Sequence, residues 1–472
     1  MSQFTSRVSV RSLLVTSLTV TSIVSASFVS TSAFAKTIVV TPDTLRTALY
    51  SGDTSVISGL NSVYQAKEEV TRARANLLPG LGLSATLGGK PNFAISAISV
   101  LLPFLLPSNW HALDATKHQL TANGYAYHLV LLNDYASVLS LYMQIQGDMA
   151  LRSVYVEQRA NLRKIAEVVA DEVSIGTATR ADLAQALAQV QLAEAQISQV
   201  EELMAREKAA IRKVMGASLS TELEFSSYHM SPLSSEGSSP RTIFDRVSES
   251  SPEQRQIDSL IEAAREAKYS TAWSFLSGSS LSVSPNFGQS SFGSLTQTTG
   301  LNLGFGYFPA VQLSNLNVAQ MKIRKRELLL EQANVIESAV NSVREAKDQV
   351  DFARKARENY KIALEAELDK YRLGQTDLVR VFTVSNYSTV AAATHVRAIA
   401  DLDSQRVTLN RVMITNQFAK IPTCHLQNAG KSGGGVFGFF KGIFGSKKKR
   451  YVSVDEICRP SAEAADIASG RK

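Results

Sequence analysis

Two histidines and an aspartate stand at helical spacing in the first half of the chain. His111 and His118 are seven residues apart, and Asp114 lies three and four residues from them. All three side chains could share one helix face and offer ligands to a metal. Polar groups are common on long exposed helices, so the sequence favours a surface or helix-seam role, and we predict no metal site.

Motifs for covalent chemistry do not stand out. No phosphate-binding loop of the G-x-x-x-x-G-K type is present. The Gly-Leu-Gly run at 80–82 and the Gly-Phe-Gly run at 304–306 lie in strand-like segments, without the strand–turn–helix context of a nucleotide site. We therefore expect no enzyme activity, no catalytic residue and no cofactor.

The two cysteines, Cys424 and Cys458, both lie near the C-terminus. Their spacing fits no zinc pattern. In an oxidising compartment they would form one disulfide that pins the C-terminal tail. Two free thiols are the alternative.

The first 35 residues have the pattern of a secretory signal peptide. Arg7 and Arg11 precede an apolar run over residues 13–29, and Ala33-Phe34-Ala35 is a small-residue cleavage pattern. The run is short and polar for a spanning helix. We predict export with cleavage rather than a retained membrane anchor.

The net charge of +7 is mostly a property of the tail. Residues 431–450 hold six basic residues and no acidic one, so a basic face for nucleic acid is not indicated. In the same segment, phenylalanines and glycines alternate before Lys447–Arg450. This composition suits an anionic membrane surface or an acidic partner, with a solvated tail as the alternative.

The chain repeats itself at a constant offset of 198 residues. Matches include Gly80 with Gly278, Gly176 with Gly374, and Val214-Met215 with Val412-Met413. A period this long is unlike a solenoid repeat of about 20–50 residues. It predicts two copies of one supersecondary unit, lying side by side.

Each unit is predicted to run helix, two strands, long helix, tip, long helix. In the first unit, the strands cover 81–89 and 93–106, and proline-free helices cover 109–174 and 177–215. In the second, the strands cover 280–287 and 300–308, and the helices cover 313–373 and 376–418. A continuous helix over 109–174 would be about 100 Å long. A heptad column of Leu183, Val190, Ile197, Met204 and Ile211 predicts a left-handed coiled-coil seam.

Four strands of this length could cross a bilayer, but they are too few to close a barrel. Backbone groups in lipid must all be paired, so several copies would have to combine their strands. Export, strand hairpins and oversized helices together predict an oligomeric outer-membrane pore with a helical extension.

Several runs carry a resemblance to a known family. They are TPDTLRTAL at 41–49, AKEEVTRARANLLPGLGLS at 66–84, the strand end Pro103-Phe104, and the tips VSIGTATRADL at 173–183 and YRLGQTDLVRV at 371–381. Over about residues 41–418, this pattern resembles the TolC-type outer-membrane efflux and secretion channels.

The resemblance implies an internally duplicated α+β membrane protein. Each protomer would contribute four β-strands to a trimeric 12-stranded barrel, and long α-helical coiled-coil hairpins would form a periplasmic tunnel. It also implies docking of the tips to a periplasmic adaptor of an inner-membrane pump or secretion ATPase. The residues assigned to docking are Gly176, Thr177, Asp182, Gly374, Thr376 and Asp377.

One departure from the family concerns the tunnel entrance. The family often places two pore-facing aspartates after the second tip glycine, where this chain has Arg380 and Thr383. An acidic entrance is therefore in doubt. Asp182 is the first-repeat counterpart of Arg380, and we hypothesise that the two pair across adjacent hairpins to hold the tunnel closed. Two independent, solvated charges are the alternative.

The predicted organisation is a signal peptide over 1–35, a first repeat over 36–216, a Ser-rich connector over 217–239, a second repeat over 240–418 and a basic tail over 419–472. The predicted function is the outer-membrane exit duct of a tripartite efflux pump or type I secretion system, acting as a homotrimer in contact with outer-membrane lipid and with no nucleic-acid partner. The rival interpretation is a periplasmic coiled-coil scaffold or adaptor without a pore.

Overall fold

A computed structural model describes residues 37–78, 80–86, 94–101, 106–248, 250–276, 280–283, 295–298 and 304–421. The predicted signal peptide, Cys424, Cys458 and the basic part of the tail lie outside these ranges. Among the helices of the described ranges, none combines the length and the apolar character that crossing a membrane requires.

The first repeat contains a short strand, two short helices, a strand pair and two long helices. These elements are β1 (Thr37–Val40), α1 (Pro42–Gly52), α2 (Thr54–Ala75), β2 (Gly80–Thr86), β3 (Ala94–Leu101), α3 (Pro107–Ser174) and α4 (Arg180–Val214). The strand β4 (Glu222–Phe225) follows in the connector.

The second repeat has the same order of elements. They are α5 (Pro240–Ser248), α6 (Pro252–Ala272), β5 (Ser280–Val283), β6 (Leu295–Thr298), α7 (Tyr307–Arg372) and α8 (Leu378–Met413). The end of α7 and the start of α8 follow the matching ends of α3 and α4 at the predicted offset, whereas the segment between α6 and α7 is longer than that between α2 and α3.

The strands of both repeats form one four-stranded antiparallel sheet in the order β2-β3-β5-β6. The central pairing of β3 with β5 joins the two repeats, with Ser99 opposite Ser282. A bulge lies between Ser84 and Ala85. Within one chain, β2 and β6 stand at the two edges of this sheet.

The prediction of a strand over 300–308 is wrong for residues 304–308, the part that the structure describes. Residues 304–306 form a turn, and Tyr307 begins α7. The alternation of apolar residues with Asn and Gly is typical of a strand, but Pro309 is also tolerated in the first turn of a helix, where its missing N–H is not needed. The Tyr307 hydroxyl donates to the carbonyl of Ala272, 2.7 Å away, which ties this helix start to the end of α6.

The Ser-rich connector contains structure that the sequence did not predict. β4 pairs in parallel with β1, so that Thr37 lies opposite Glu222 and Val40 opposite Phe225. Four-residue strands are too short to show a clear alternation of polar and apolar residues. Further along, Glu236 accepts a 2.8 Å bond from the buried Arg406 of α8, which fixes the connector against the second hairpin.

The largest apolar core lies beside this small sheet and includes α1, α2 and the middle of α3. Tyr135 is fully buried there, donates to the carbonyl of Pro42 at 3.2 Å, and packs edge-on against Phe418. The Tyr142 hydroxyl donates to the carbonyl of Ser226 in the connector. These buried hydroxyls are satisfied, as burial requires, and they fix the roots of the helical hairpins.

The long helices pair as the heptad pattern predicts. α3 has 68 residues and α7 has 66, so each extends about 100 Å. In the predicted seam of α4, Val190, Ile197 and Ile211 are buried. The hairpins α3–α4 and α7–α8 place two tips at the far end from the four-stranded sheet.

Candidate docking and entrance site at the hairpin tips

The first tip connects α3 to α4 through Gly176, which has a φ of +82°. Left-handed backbone strongly favours glycine. The amide of Thr177 donates back to the carbonyl of Glu172 at 2.9 Å, and the amide of Gly176 donates to Val173 at 3.2 Å. This pattern is a Schellman motif, and it satisfies the last carbonyls of α3. The tip is therefore a short, ordered turn.

Asp182 works as part of the cap that begins α4. Its carboxylate accepts from the Thr179 amide at 2.9 Å and from the Thr179 hydroxyl at 2.7 Å. In return, the Asp182 amide donates to the Thr179 hydroxyl at 3.2 Å. This reciprocal arrangement is a capping box. The hydrogen bonds from Thr179 hold the pKa of the Asp182 carboxyl below its usual value.

The second tip repeats the turn with different side chains. Gly374 has a φ of +69°, and the amide of Gln375 donates to the carbonyl of Lys370 at 2.9 Å. Asp377 is the N-cap of α8, where its carboxylate accepts from the Arg380 amide at 2.7 Å. The two glycine breaks are thus structurally equivalent, but the acidic capping residue differs in position.

A carboxylate near the end of α7 organises the second tip. Glu367 accepts a 2.7 Å bond from the Thr376 hydroxyl. Lys370 lies 3.6 Å from its Oε2, and the Arg380 Nε lies 3.8 Å from its Oε1. The Thr376 bond, followed by the Lys370 and Arg380 charges, holds the pKa of Glu367 below its usual value. Glu367 therefore stays ionised at neutral pH and joins the start of α8 to the end of α7.

One hydrogen bond joins the two tips directly. The Tyr371 hydroxyl of α7 donates to Glu172 Oε2 of α3 at 2.7 Å. Burial, together with this bond, raises the pKa of the tyrosine, which keeps the hydroxyl protonated as a donor. Residues from both hairpins, among them Val169, Val190 and Val381, form one buried apolar cluster beneath this bond.

Sequence reasoning missed Glu172, Glu367 and Tyr371. Glu367 had a detectable signal, because its counterpart one repeat earlier is the fully buried Val169, and a carboxylate at a seam position is unusual. Glu172 and Tyr371 carry no such signal, since nothing in either residue's spacing identifies the other as its partner.

The three predicted entrance residues lie at the tips, and each contacts a different partner. Asp182 binds Thr179, and Arg380 lies beside Glu367. The Thr383 hydroxyl donates to the carbonyl of Val379 in its own helix, 2.8 Å away. The pairing of Asp182 with Arg380 across adjacent hairpins stays a prediction.

Large apolar side chains remain exposed at both tips. Ile175 is 75% exposed and Leu373 is 71% exposed, and they are equivalent residues of the two repeats. Val379 and Leu187 are also more than half exposed. Ile175 and Leu373 therefore place one large exposed apolar side chain beside each turn.

The members of the His111, Asp114 and His118 pattern do not share one partner. His111 Nδ1 lies 2.7 Å from Glu266 Oε2 of α6, and Asp114 pairs with Lys117 at 2.6 Å. In the described part of the chain, no group of three or more His, Cys, Asp or Glu residues is placed to hold a metal ion.

The arrangement matches known proteins. Residues 60–217 match the family model for the outer membrane efflux protein. The CmeC outer membrane channel of Campylobacter jejuni superposes with a TM-score of 0.66 at 14% identity, covering 83% of this chain and 89% of that chain. The resemblance to the TolC-type outer-membrane channels is confirmed. The matched family comprises transport channels rather than enzymes.

Two further channels share this fold. The outer membrane protein VceC of Vibrio cholerae superposes with a TM-score of 0.67 at 14% identity, covering 79% of this chain and 95% of that chain. The MtrE outer membrane channel of Neisseria gonorrhoeae, solved in its open state, gives a TM-score of 0.63 at 15% identity, covering 79% and 88%. No curated protein sequence matches the chain.

Proposed function

We propose that the chain is the outer-membrane exit duct of a tripartite efflux pump or a type I secretion system. One observation supports this proposal above the others. Each repeat has a strand hairpin that continues into a helical hairpin, and the four strands of the two repeats form one sheet. The chain does no covalent chemistry in this role. It provides a water-filled conduit, and an inner-membrane partner supplies the energy.

The open sheet supports a trimer. β2 and β6 each have one unpaired edge in the described sheet, and unpaired backbone groups are not tolerated in lipid. Three copies would place twelve strands around one barrel and complete each edge with the edge of a neighbour.

The surface of α7 supports the same assembly. Leu316, Ile323 and Leu330 follow one another at heptad spacing and are each more than half exposed. Such a row is the usual signature of a helix that packs against another helix. In a trimer, this row would be covered by a neighbouring copy, and twelve helices would enclose the periplasmic tunnel.

We infer that the tips form both the closed entrance and the docking surface for a periplasmic adaptor. The bond between Tyr371 and Glu172 holds the two hairpins together within one subunit, and the contacts of Glu367 hold α7 to α8 within the second hairpin. Opening the entrance would separate these groups. Across adjacent hairpins of the trimer, Asp182 and Arg380 would add a further pair.

The adaptor would contact the exposed ends of both turns. The exposed Ile175 and Leu373 offer apolar contacts, and the turn residues assigned from the sequence offer polar ones: Gly176, Thr177, Gly374, Thr376 and Asp377. The repeat makes two similar docking positions per subunit, and so six around a trimer.

Conductance tests this function directly. We expect the mature full chain, extracted from outer membranes and added to a planar lipid bilayer, to give discrete single-channel steps. The Arg380→Ala variant would raise the conductance if Asp182 and Arg380 close the entrance, and an unchanged value would remove that pair from the gate. A chain that inserts without any current steps would favour the scaffold without a pore.

A further inference from the structure

Two acidic residues face each other inside the first hairpin, far from its tip. Asp148 lies on α3 and Glu207 on α4, and their carboxyl groups are close enough to share a hydrogen bond. On the side toward the tip they adjoin a small apolar cluster of Leu151, Val200 and Ala393. On the other side the main core begins at Ile211. The pair therefore lies where the hairpin leaves the main core.

Glu207 is buried in a way that is unusual for a carboxylate. The residue is 9% exposed, and its Oε2 has no hydrogen-bond partner among the described residues. A buried charge without a partner is strongly unfavourable, and two neighbouring carboxylates repel each other when both are ionised. One proton held between the two groups removes both penalties.

A cation faces one member of the pair. Arg397 of α8 faces Asp148, whereas the charged group that faces Glu207 is Asp148 itself. Nearby cations on the same helices have other partners, since Arg152 pairs with Glu201 and Arg206 with Glu202. Burial, followed by the charge of Asp148, raises the pKa of Glu207 to about 7.

The second hairpin touches this place closely. A Cβ atom built on Gly147, the residue before Asp148, would lie 2.5 Å from the Cβ of Ala400 in α8. α3 and α8 are therefore in tight contact one residue from the pair. A change in the spacing of α3 and α4 at Asp148 would be transmitted to α8 through this contact and through Arg397.

We propose that Asp148 and Glu207 share one proton and act as a pH-sensitive latch at the root of the first hairpin, coupled to the second hairpin through the Gly147–Ala400 contact. When the proton is present, the two helices are held together. When it is lost, two facing negative charges push α3 and α4 apart.

The direction of the pH effect follows from the carboxyl chemistry. The pKa of Glu207 is higher in the folded protein than in a free chain, so the folded state binds the proton more tightly. The stabilisation is complete below the unfolded-state pKa of a glutamate, about 4.3, and is lost as the pH rises through about 7.

Hydrogen exchange on the mature full chain in detergent micelles tests the latch. After correction for intrinsic exchange, amides near residues 145–151 and 204–211 should lose about tenfold or more of their protection between pH 5.5 and 8.5. Glu207→Gln should abolish most of this loss, because a neutral amide cannot ionise. Glu194→Gln is the matched control, since Glu194 lies on the same helix nearer the tip and pairs with Arg163, and it should behave like the wild type.

Asp148→Asn keeps the test informative if Glu207→Gln does not fold. It should reduce the pH dependence, because the charge of Asp148 is removed while Glu207 stays buried. The proposal is overturned if the wild-type protection is the same at both pH values, or if both variants lose protection as the wild type does. It is also overturned if magnesium ions restore the protection at pH 8.5 in the wild type, because the pair would then be a cation site.

Discussion

The two hairpin tips share a backbone but differ in how their side chains are used. Gly176 and Gly374 make the same left-handed break. In the first tip, Asp182 is occupied by the cap of its own helix. In the second, Asp377 takes over the cap, and Arg380 at the position equivalent to Asp182 lies beside Glu367. The two repeats therefore share the turn and differ in the contacts of their charged residues.

Ion pairs stabilise the seam of the second tip but not that of the first. Val169 fills the seam of the first hairpin at the position where the second has Glu367. The first tip is therefore closed by apolar packing and the second by a carboxylate with three polar neighbours. The seam of the second tip should respond to pH, salt and charge substitutions, whereas the seam of the first tip, at Val169, should not.

Glu367→Ala should have the largest effect on this difference. It removes the acceptor of Thr376 and the counter-charge of Lys370 and Arg380. If the tips form the entrance as proposed, single-channel conductance should rise several-fold. The pKa of Glu367 lies below its usual value, so its contribution persists at neutral pH and is lost as the pH falls through that lowered pKa.

Glu367→Gln is the matched variant, because an amide oxygen can still accept from Thr376. At pH 7, this variant should have the conductance that the wild type has at acid pH, where Glu367 is protonated. Val169→Ala in the first tip should change the conductance at all pH values alike. Equal pH profiles for the two tip variants would contradict the assignment of charge to the second tip.

Tyr371→Phe should have the next largest effect. It removes the hydroxyl that donates to Glu172, at a cost of about 1 kcal/mol because this region is partly exposed. The expected result is an increase of about fivefold in the open fraction of the channel. Tyr360→Phe serves as control, since Tyr360 lies on the same helix, exposed and in contact with Tyr387, and it should leave the open fraction unchanged.

Gly176→Ala and Gly374→Ala should cost about 1 kcal/mol each, because both glycines have positive φ. No atom lies within 4 Å of a Cβ at either position, so the cost is one of backbone conformation alone. Thermal melting should show equal decreases for the two variants. Gly237→Ala has the same open surroundings without a positive φ, and a decrease as large as theirs would argue against the backbone explanation.

The smallest effects are expected at the helix caps. Thr179→Ala and Asp377→Ala each remove a side-chain acceptor from the first turn of α4 or α8, at a cost of about 0.5–1 kcal/mol. Faster hydrogen exchange should be confined to that turn. Thr389→Ala, which loses only a bond to the Ser385 carbonyl of its own helix, should leave both first turns unchanged.

The sequence predicted the large features of the fold because they depend on local signals. A long proline-free stretch before Gly176 predicts one long helix, and α3 runs from 107 to 174. The offset between Gly176 and Gly374 predicts two equivalent turns, and both have positive φ. Heptad spacing identified the α4 seam residues Val190 and Ile197, which are buried.

The features that were missed depend on contacts between distant parts of the chain. β1 and β4 are four residues each and pair only because the core brings residues 37–40 and 222–225 together. Alternation over 300–308 favoured a strand, but packing of Tyr307 against Ala272 and Phe275 fixes a helix start there. At the tips, the partner of Tyr371 is about 200 residues away, and no local pattern identifies it.

The most direct test of the account is the mass of the assembly. Native mass spectrometry of the mature full chain, released from detergent micelles, should give a single species of three subunits, because the two sheet edges and the exposed row on α7 require neighbours. Dissociation by heat before measurement should give single subunits. If the chain is instead a stable single subunit, without prior heating and even in buffer without detergent, the proposal of a trimeric channel is contradicted.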